Sequence, residues 1–233
     1  MLNKLLPTVL VMTFCLNVAA DEAEVRKMME SKLGAKVESV TKSGFMGLYE
    51  VFADGNIVYT DEKGTAIIVG PLIDGKTMKN VTEERMKKLS AIKFSDLPLD
   101  RAIKQVRGDG KRTLATFEDP NCGYCKRLAK ELLKLDNVTV YTFLLPILSE
   151  DSVRKSKQIW CSADRAKAWN DWMVDGKAPA GREDCDTTAV TKNQEFGRKL
   201  NITGTPTMFF ADGERVPGAI PLARIEQKLS QAK

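Results

Sequence analysis

Cys122 and Cys125 stand two residues apart in the stretch FEDPNCGYC, residues 117 to 125, between an apolar run and a helical pattern. A pair so spaced can be half of a zinc site, a structural staple or a reactive dithiol. Structural zinc takes two tight ligand pairs. Here the two downstream cysteines, Cys161 and Cys185, lie 36 and 60 residues beyond Cys125. The chain has no histidine, which removes histidine-ligated zinc and every hydrolase that needs imidazole. No carboxylate loop has calcium-binding spacing, so no metal and no cofactor is expected. An inert Cys122–Cys125 disulfide would close too short a loop to gain much from chain entropy. The reading that remains is a redox dithiol.

The chemistry follows from position. Cys122 falls at the start of a helix, where unpaired backbone N–H groups favour an anionic sulfur. Lys126 and Arg127 add positive charge within one turn. Helix-start thiols of this type reach pKa values of roughly 3.5 to 7.5, against about 8.5 for free cysteine. Cys122 is therefore expected to be nucleophile and leaving group, and Cys125, one turn inside, to be the resolving thiol. Cys161 and Cys185 read as a staple within a helical insertion, worth on the order of 3 kcal/mol, with a second redox pair as the alternative. TGTPT, residues 203 to 207, opens a later strand. Its Thr205-Pro206 bond is open to either isomer; a cis bond beside the dithiol would present the Thr205 backbone to a substrate strand.

These residues need a scaffold. RTLATFED reads as a strand, and CGYCKRLAKELLKL as a helix with Leu128, Ala129, Leu132, Leu133 and Leu135 on its apolar side. VTVYTFLLP is a strand again, which makes a right-handed βαβ unit with a parallel pair. A polar, mostly helical stretch carrying Trp160, Trp169 and Trp172 follows. A helix over 190–200, the strands TMFFADG and ERVPGAI, and a closing helix from Pro221 complete the domain.

The first half has another pattern. Residues 21–33 carry Val25, Met28, Met29 and Leu33 at helical spacing. Four strand-like runs follow, KVESVTKS, GLYEVFADG, NIVYTDEKG and TAIIVGPLIDG, with hairpin turns at Asp54-Gly55 and Lys63-Gly64. TAIIVG is apolar and uncharged; such an edge either pairs with another chain or lies under the leading helix. Thr82 reads as a helix N-cap with Glu83 and Glu84 in the first turn. The spacing predicts a connecting helix over roughly 80–100 that ends or bends at Pro98.

A chain of 233 residues that is 43% hydrophobic supports one large or two small cores. Its net charge of +5 is interspersed, with no basic arm, so no nucleic-acid partner is expected. Residues 1–20 carry a single charge, Lys4, then the apolar run VLVMTFCLNV and a small-residue exit at Ala20. This is the layout of a secretory signal, too short to span a bilayer comfortably. Cleavage after Ala20 would remove Cys15 and leave four cysteines, an even number that suits an oxidising compartment.

The βαβ unit with its helix-start dithiol, Thr-Pro strand, closing hairpin and helix resembles the thioredoxin fold. NCGYC, TGTPT, the distant cysteine pair, the leader and the small β-rich N-terminal unit together resemble the DsbC/DsbG family of bacterial periplasmic protein disulfide isomerases, over the whole mature chain. The resemblance implies an α+β and α/β architecture. A signal peptide over 1–20 would precede an N-terminal helix-plus-sheet dimerisation domain over 21–79. A linker helix region over 80–106 would lead to a thioredoxin-like catalytic domain over 107–233, with a helical insertion at about 148–200. It implies a periplasmic, V-shaped homodimer with both dithiols facing an apolar cleft. That protein would reduce and isomerise disulfides of misfolded exported polypeptides, act as a chaperone, and be kept reduced by a DsbD-like membrane reductant. Gly123 and Tyr124 would tune the potential, Thr205 and Pro206 would flank the site, and Cys161–Cys185 would be structural. A DsbG-like holdase or reductase of oxidised cysteines, and a dithiol oxidase, are the alternatives. Thioredoxin carries a buried carboxylate six residues before its first cysteine. Thr116 stands there, and the sequence leaves open whether nearby Glu118 and Asp119 are buried or solvated, so the proton acceptor for Cys125 is unassigned.

Overall fold

The computed structural model describes residues 16–232, with side chains from residue 21 onward. Residues 1–15 of the expected leader, including Cys15, lie outside the described residues. The chain divides into two compact units, the first ending at Met86 and the second beginning at Lys87.

In the first unit, helix α1 (Leu16–Leu33) precedes strands β1 (Val37–Lys42), β2 (Tyr49–Ala53), β3 (Asn56–Thr60) and β4 (Ile67–Val69). The strands form one antiparallel sheet in sequence order. Val25 and Met29, one helical turn apart, are fully buried against Val37, Val40, Tyr49 and Val51. Asp54 and Gly55 hold φ of 48° and 75° between the paired Ala53 and Asn56, the two-residue hairpin that suits the twist of the strands. Because α1 packs on β1 and β2, β4 is an edge whose Ile67, Ile68 and Val69 are all exposed. The leading helix does not hide that edge.

The opposite face of β2 and β3 carries Glu50 and Tyr59, cross-strand partners that alternate away from α1. Arg85 donates through Nε and Nη2 to both Glu50 oxygens at 2.8–3.0 Å. The Tyr59 hydroxyl lies 2.6 Å from Thr82 Oγ1, which also accepts from Leu72 N at 2.8 Å. Helix α2 (Val81–Ser90) therefore starts differently from the sequence expectation. Asn80 Oδ1 accepts the Glu83 N–H and acts as the cap, while Thr82 is engaged by the sheet. Nor does the helix run to residue 100. It ends at Ser90, and two 3-10 turns, Phe94–Asp96 and Leu99–Arg101, follow. Ile92, Phe94, Leu97 and Leu99 all pack into the core of the second unit, which no single helical face could accomplish.

The second unit is a five-stranded sheet in the order β5-β7-β6-β8-β9. Its strands are β5 (Ile103–Arg107), β6 (Arg112–Glu118), β7 (Val138–Leu144), β8 (Thr207–Phe210) and β9 (Arg215–Pro217). Only β6 and β7 pair in parallel, across helix α3 (Gly123–Leu132). Strand β5 has no counterpart in the sequence reading: it is a short edge strand carrying Lys104 and Arg107, and its Val106 faces solvent. Side chains of β6 alternate. Ala115 and Phe117 enter one core, where Phe117 stacks on Phe143 at 4.6 Å. Leu114 enters the other, beneath Leu128 and Leu132 of α3 and Ile225 and Leu229 of α7 (Leu222–Gln231). Leu133, expected on the apolar side of α3, is exposed. A second Ala-Asp-Gly turn joins β8 to β9; Gly213 holds φ 86°, and a Cβ there would fall 2.3 Å from the Ile92 carbonyl. Between β7 and β8 lie helices α4 (Glu150–Trp160), α5 (Arg165–Met173) and α6 (Thr188–Lys199).

Candidate active site: a dithiol over a buried carboxyl

The residues between β6 and α3 are fixed on all sides. Asp119 Oδ1 accepts the Asn121 N–H at 2.7 Å, and Oδ2 accepts those of Ile147 and Leu148 at 2.8 and 3.0 Å. The Cys122 N–H reaches the Asp119 carbonyl at 3.1 Å. The Trp172 indole N–H donates to the Pro120 carbonyl at 2.6 Å. This framework delivers Cys122 to the N-cap of α3 in extended conformation, φ −75° and ψ 119°.

Cys122 and Cys125 are both unpaired thiols. Cys122 is 7% exposed, Cys125 is sealed, and both belong to a cluster with Ala129, Leu144, Ile159, Trp160, Trp169 and Met173. The Cys122 thiol donates to the Thr205 carbonyl at 3.2 Å. The Thr205-Pro206 bond is cis. Gly123 and Tyr124 occupy the first turn of α3, with Tyr124 exposed and Arg127 lying 4.3 Å over its ring. The structure thus gathers Cys122, Gly123, Tyr124, Cys125, Thr205 and Pro206 into one place. Cys161 and Cys185 stand apart as a disulfide, S–S 2.03 Å, tying the end of α4 to the segment before α6.

The sequence did not identify what lies beneath. Thr116 and Glu118 alternate with Phe117 on β6 and so share the α3 side with Leu114. Glu118 is 0% exposed. One of its oxygens accepts the Thr116 hydroxyl at 2.8 Å, and the other has no hydrogen-bond partner among the described residues. Burial raises its pKa to about 8, against a smaller opposing pull from Thr116. Burial also raises the Cys125 pKa, and the neighbouring Glu118 charge raises it further. Glu118 and Asp119 are therefore interior groups, Asp119 being also 0% exposed. The signal that could have placed Glu118 is strand alternation, which sets it in phase with Leu114. Among the described residues no cluster of metal-ligating side chains forms.

A reduced dithiol at the start of a helix, over a βαβ unit and beside a threonine-proline loop, defines a thioredoxin-like thiol–disulfide oxidoreductase. Residues 99–233 match the family described as a thioredoxin-like domain, and residues 16–83 match the disulfide bond isomerase protein N-terminal domain. The chain is 51% identical over 196 residues to a probable thiol:disulfide interchange protein DsbC of Bordetella pertussis, covering 84% of this chain and 69% of that one. It is 28% identical over 219 residues to the thiol:disulfide interchange protein DsbC of Escherichia coli K12, covering 91% and 89%. A crystal structure of a disulfide interchange protein from Neisseria gonorrhoeae superposes with TM-score 0.56 at 43% identity, over 58% of this chain and 98% of that one. The chain belongs to the DsbC family of thiol:disulfide interchange proteins.

Proposed function

We propose that this thiol:disulfide interchange protein reduces and rearranges non-native disulfides in exported polypeptides, with Cys122 attacking and Cys125 resolving. The observation that carries the assignment of roles is the asymmetry of the two sulfurs: Cys122 at the helix start with a residual opening to solvent, Cys125 enclosed above Glu118. A Cys122 thiolate attacks one sulfur of a substrate disulfide; the Cys122–substrate bond forms, and the other substrate sulfur leaves as thiolate. In isomerisation a substrate thiolate then attacks the mixed disulfide, a new substrate disulfide forms and Cys122 is released unchanged. In reduction Cys125 gives its proton to the Glu118 carboxylate and attacks Cys122 Sγ. The Cys122–Cys125 disulfide forms, and the substrate departs with two reduced sulfurs. An acceptor with pKa near working pH serves such a transfer in both directions. A membrane dithiol donor of the DsbD class would return the oxidised pair to the reduced state.

The other parts of the reading concern place and assembly. The leader ending at Ala20 would direct the chain to the periplasm, where four remaining cysteines suit an oxidising milieu. The exposed apolar edge of β4 supports pairing with a second copy into a homodimer. A dimer would hold a misfolded chain while its mixed disulfide searches, and so act as a chaperone. The direct test is refolding of a scrambled multi-disulfide protein: Cys122→Ser should abolish recovery of native pairing, and full recovery with that variant would refute the assignment. Suppression of aggregation that survives loss of both Cys122 and Cys125 would establish the holding activity separately.

A further inference from the structure

Trp172, from the helical insertion, bonds to the backbone just before Cys122, and the redox chemistry makes no use of it. It sits on α5 beside Trp169 and Met173, which are buried in the cluster around the dithiol, and is itself half-buried at the rim. Its indole N–H holds the Pro120 carbonyl at 2.6 Å, two residues before Cys122. Two ammonium groups lie over its ring, Lys126 Nζ at 4.0 Å and Lys155 Nζ at 4.4 Å from the centroid. Lys155 also donates to Asn121 Oδ1 at 3.0 Å, and Asn121 Nδ2 donates to Asp151 at 2.8 Å. One side chain thus touches the turn before the nucleophile and the cation one turn after it.

We propose that Trp172 is a positioning residue for Cys122, fixing the Pro120–Asn121 turn through its N–H and seating the Lys126 ammonium beside the start of α3 through its ring. The charges around this point do not all act alike. Asp151 pairs with Lys155 and Arg154, which offsets those cations. The Arg127 guanidinium stacks on Tyr124, and both Asp119 oxygens are taken by backbone N–H groups. Glu118 lies beneath the site on β6 and acts on Cys125. Among the described residues Lys126 makes no ion pair, so its charge is available to a sulfur anion on the same helix. A cation held over an aromatic face is favoured strongly enough to select one lysine rotamer. Losing the ring frees that lysine, and losing the N–H leaves a carbonyl to be satisfied by water.

The proposal rests on Cys122 being the attacking sulfur, and the test separates the two claims. Reduced full-length protein is alkylated with iodoacetamide at neutral pH, the modified sulfur is mapped, and the dithiol is equilibrated with reduced and oxidised glutathione. Trp172→Leu should slow alkylation of Cys122 by about three- to tenfold and shift the glutathione equilibrium toward the protein disulfide by a similar factor. Lys126→Gln should reproduce part of both changes. Trp172→Phe, which keeps the ring and loses the N–H, should fall between Trp172→Leu and the unaltered protein. A purely structural tryptophan would leave the glutathione equilibrium of a folded variant in place. If Trp172→Phe and Lys126→Gln both match the unaltered protein in rate and equilibrium, the proposal is wrong, even should Trp172→Leu fail to fold. If the label maps to Cys125 in the unaltered protein, the assignment of Cys122 fails and this role for Trp172 fails with it.

Discussion

Glu118 and Cys125 are two enclosed ionisable groups, neither with measurable exposure, and the charge of one opposes ionisation of the other. Each proton removed from the pair makes the next harder to remove. Once Glu118 has lost its proton, the Cys125 proton is therefore held until disulfide formation converts that sulfur into a neutral one.

Release of reduced substrate should depend on Glu118. On the proposed roles, the mixed disulfide formed with Cys122 would persist until Cys125 attacks, and that attack would need somewhere for the Cys125 proton to go. Glu118→Gln should lengthen the lifetime of the mixed disulfide by roughly tenfold or more, while leaving its formation nearly unchanged. In the unaltered protein the resolving rate should climb as pH rises toward about 8, where Glu118 loses its proton. The variant should lose that inflection. Quenched-flow trapping with mass detection reads both.

The same carboxyl should make stability depend on pH. Its pKa is about 8 when folded and 4.5 when free, so the folded chain holds a proton that the unfolded chain has released. Stability is fully present below pH 4.5 and declines as pH rises toward 8. Glu118→Gln cannot ionise. Its stability relative to the unaltered protein should therefore improve by roughly 1 to 4 kcal/mol between pH 5 and pH 8, read by denaturant unfolding at each pH.

Cys161–Cys185 closes a loop of 24 residues around α5 and the segment leading to α6. Replacing both with serine should cost about 3 kcal/mol of stability, seen as a lower melting temperature. The Cys122–Cys125 pair should still exchange with glutathione at a near-normal rate, because the substituted residues are not part of the dithiol.

The β4 edge should control assembly. Val69 is 79% exposed and Ile68 is 46% exposed. Ile68→Lys or Val69→Asp places charge on a strand edge, a device that blocks edge-to-edge pairing. Sedimentation should show a shift from dimer to monomer. Isomerisation of a scrambled protein should fall much further than reduction of a simple disulfide, since only the former needs a held chain.

How much of this was legible in the sequence depended on which residues speak through local pattern. The dithiol helix, its flanking strands and the Asp54-Gly55 turn did, because their periodicity and turn chemistry are local. The end of α2 did not: its apolar residues follow helical spacing to Ile92, but burial of Phe94 and Leu97 in a distant core overrides it. Thr82 has the right residue type for a cap, yet Tyr59, 23 residues earlier in the chain, claims its hydroxyl. Short β5 was hidden because a five-residue edge strand with two charges and an outward-facing Val106 carries little apolar pattern. At the site, the sulfurs and Thr205-Pro206 were readable as motifs. Glu118 and Trp172 were not, since their meaning comes from tertiary burial and from contacts across long stretches of chain.

The most direct measurement is mapping which sulfur captures substrate. Reduced Cys125→Ala and Cys122→Ala proteins, each keeping one thiol of the pair, are mixed with a scrambled disulfide protein and quenched with acid. Covalent adducts are then identified by peptide mass. Attack by Cys122 predicts that Cys125→Ala accumulates substrate linked through Cys122 and that Cys122→Ala forms almost none. Equal capture by both, or capture through Cys125 alone, would contradict it.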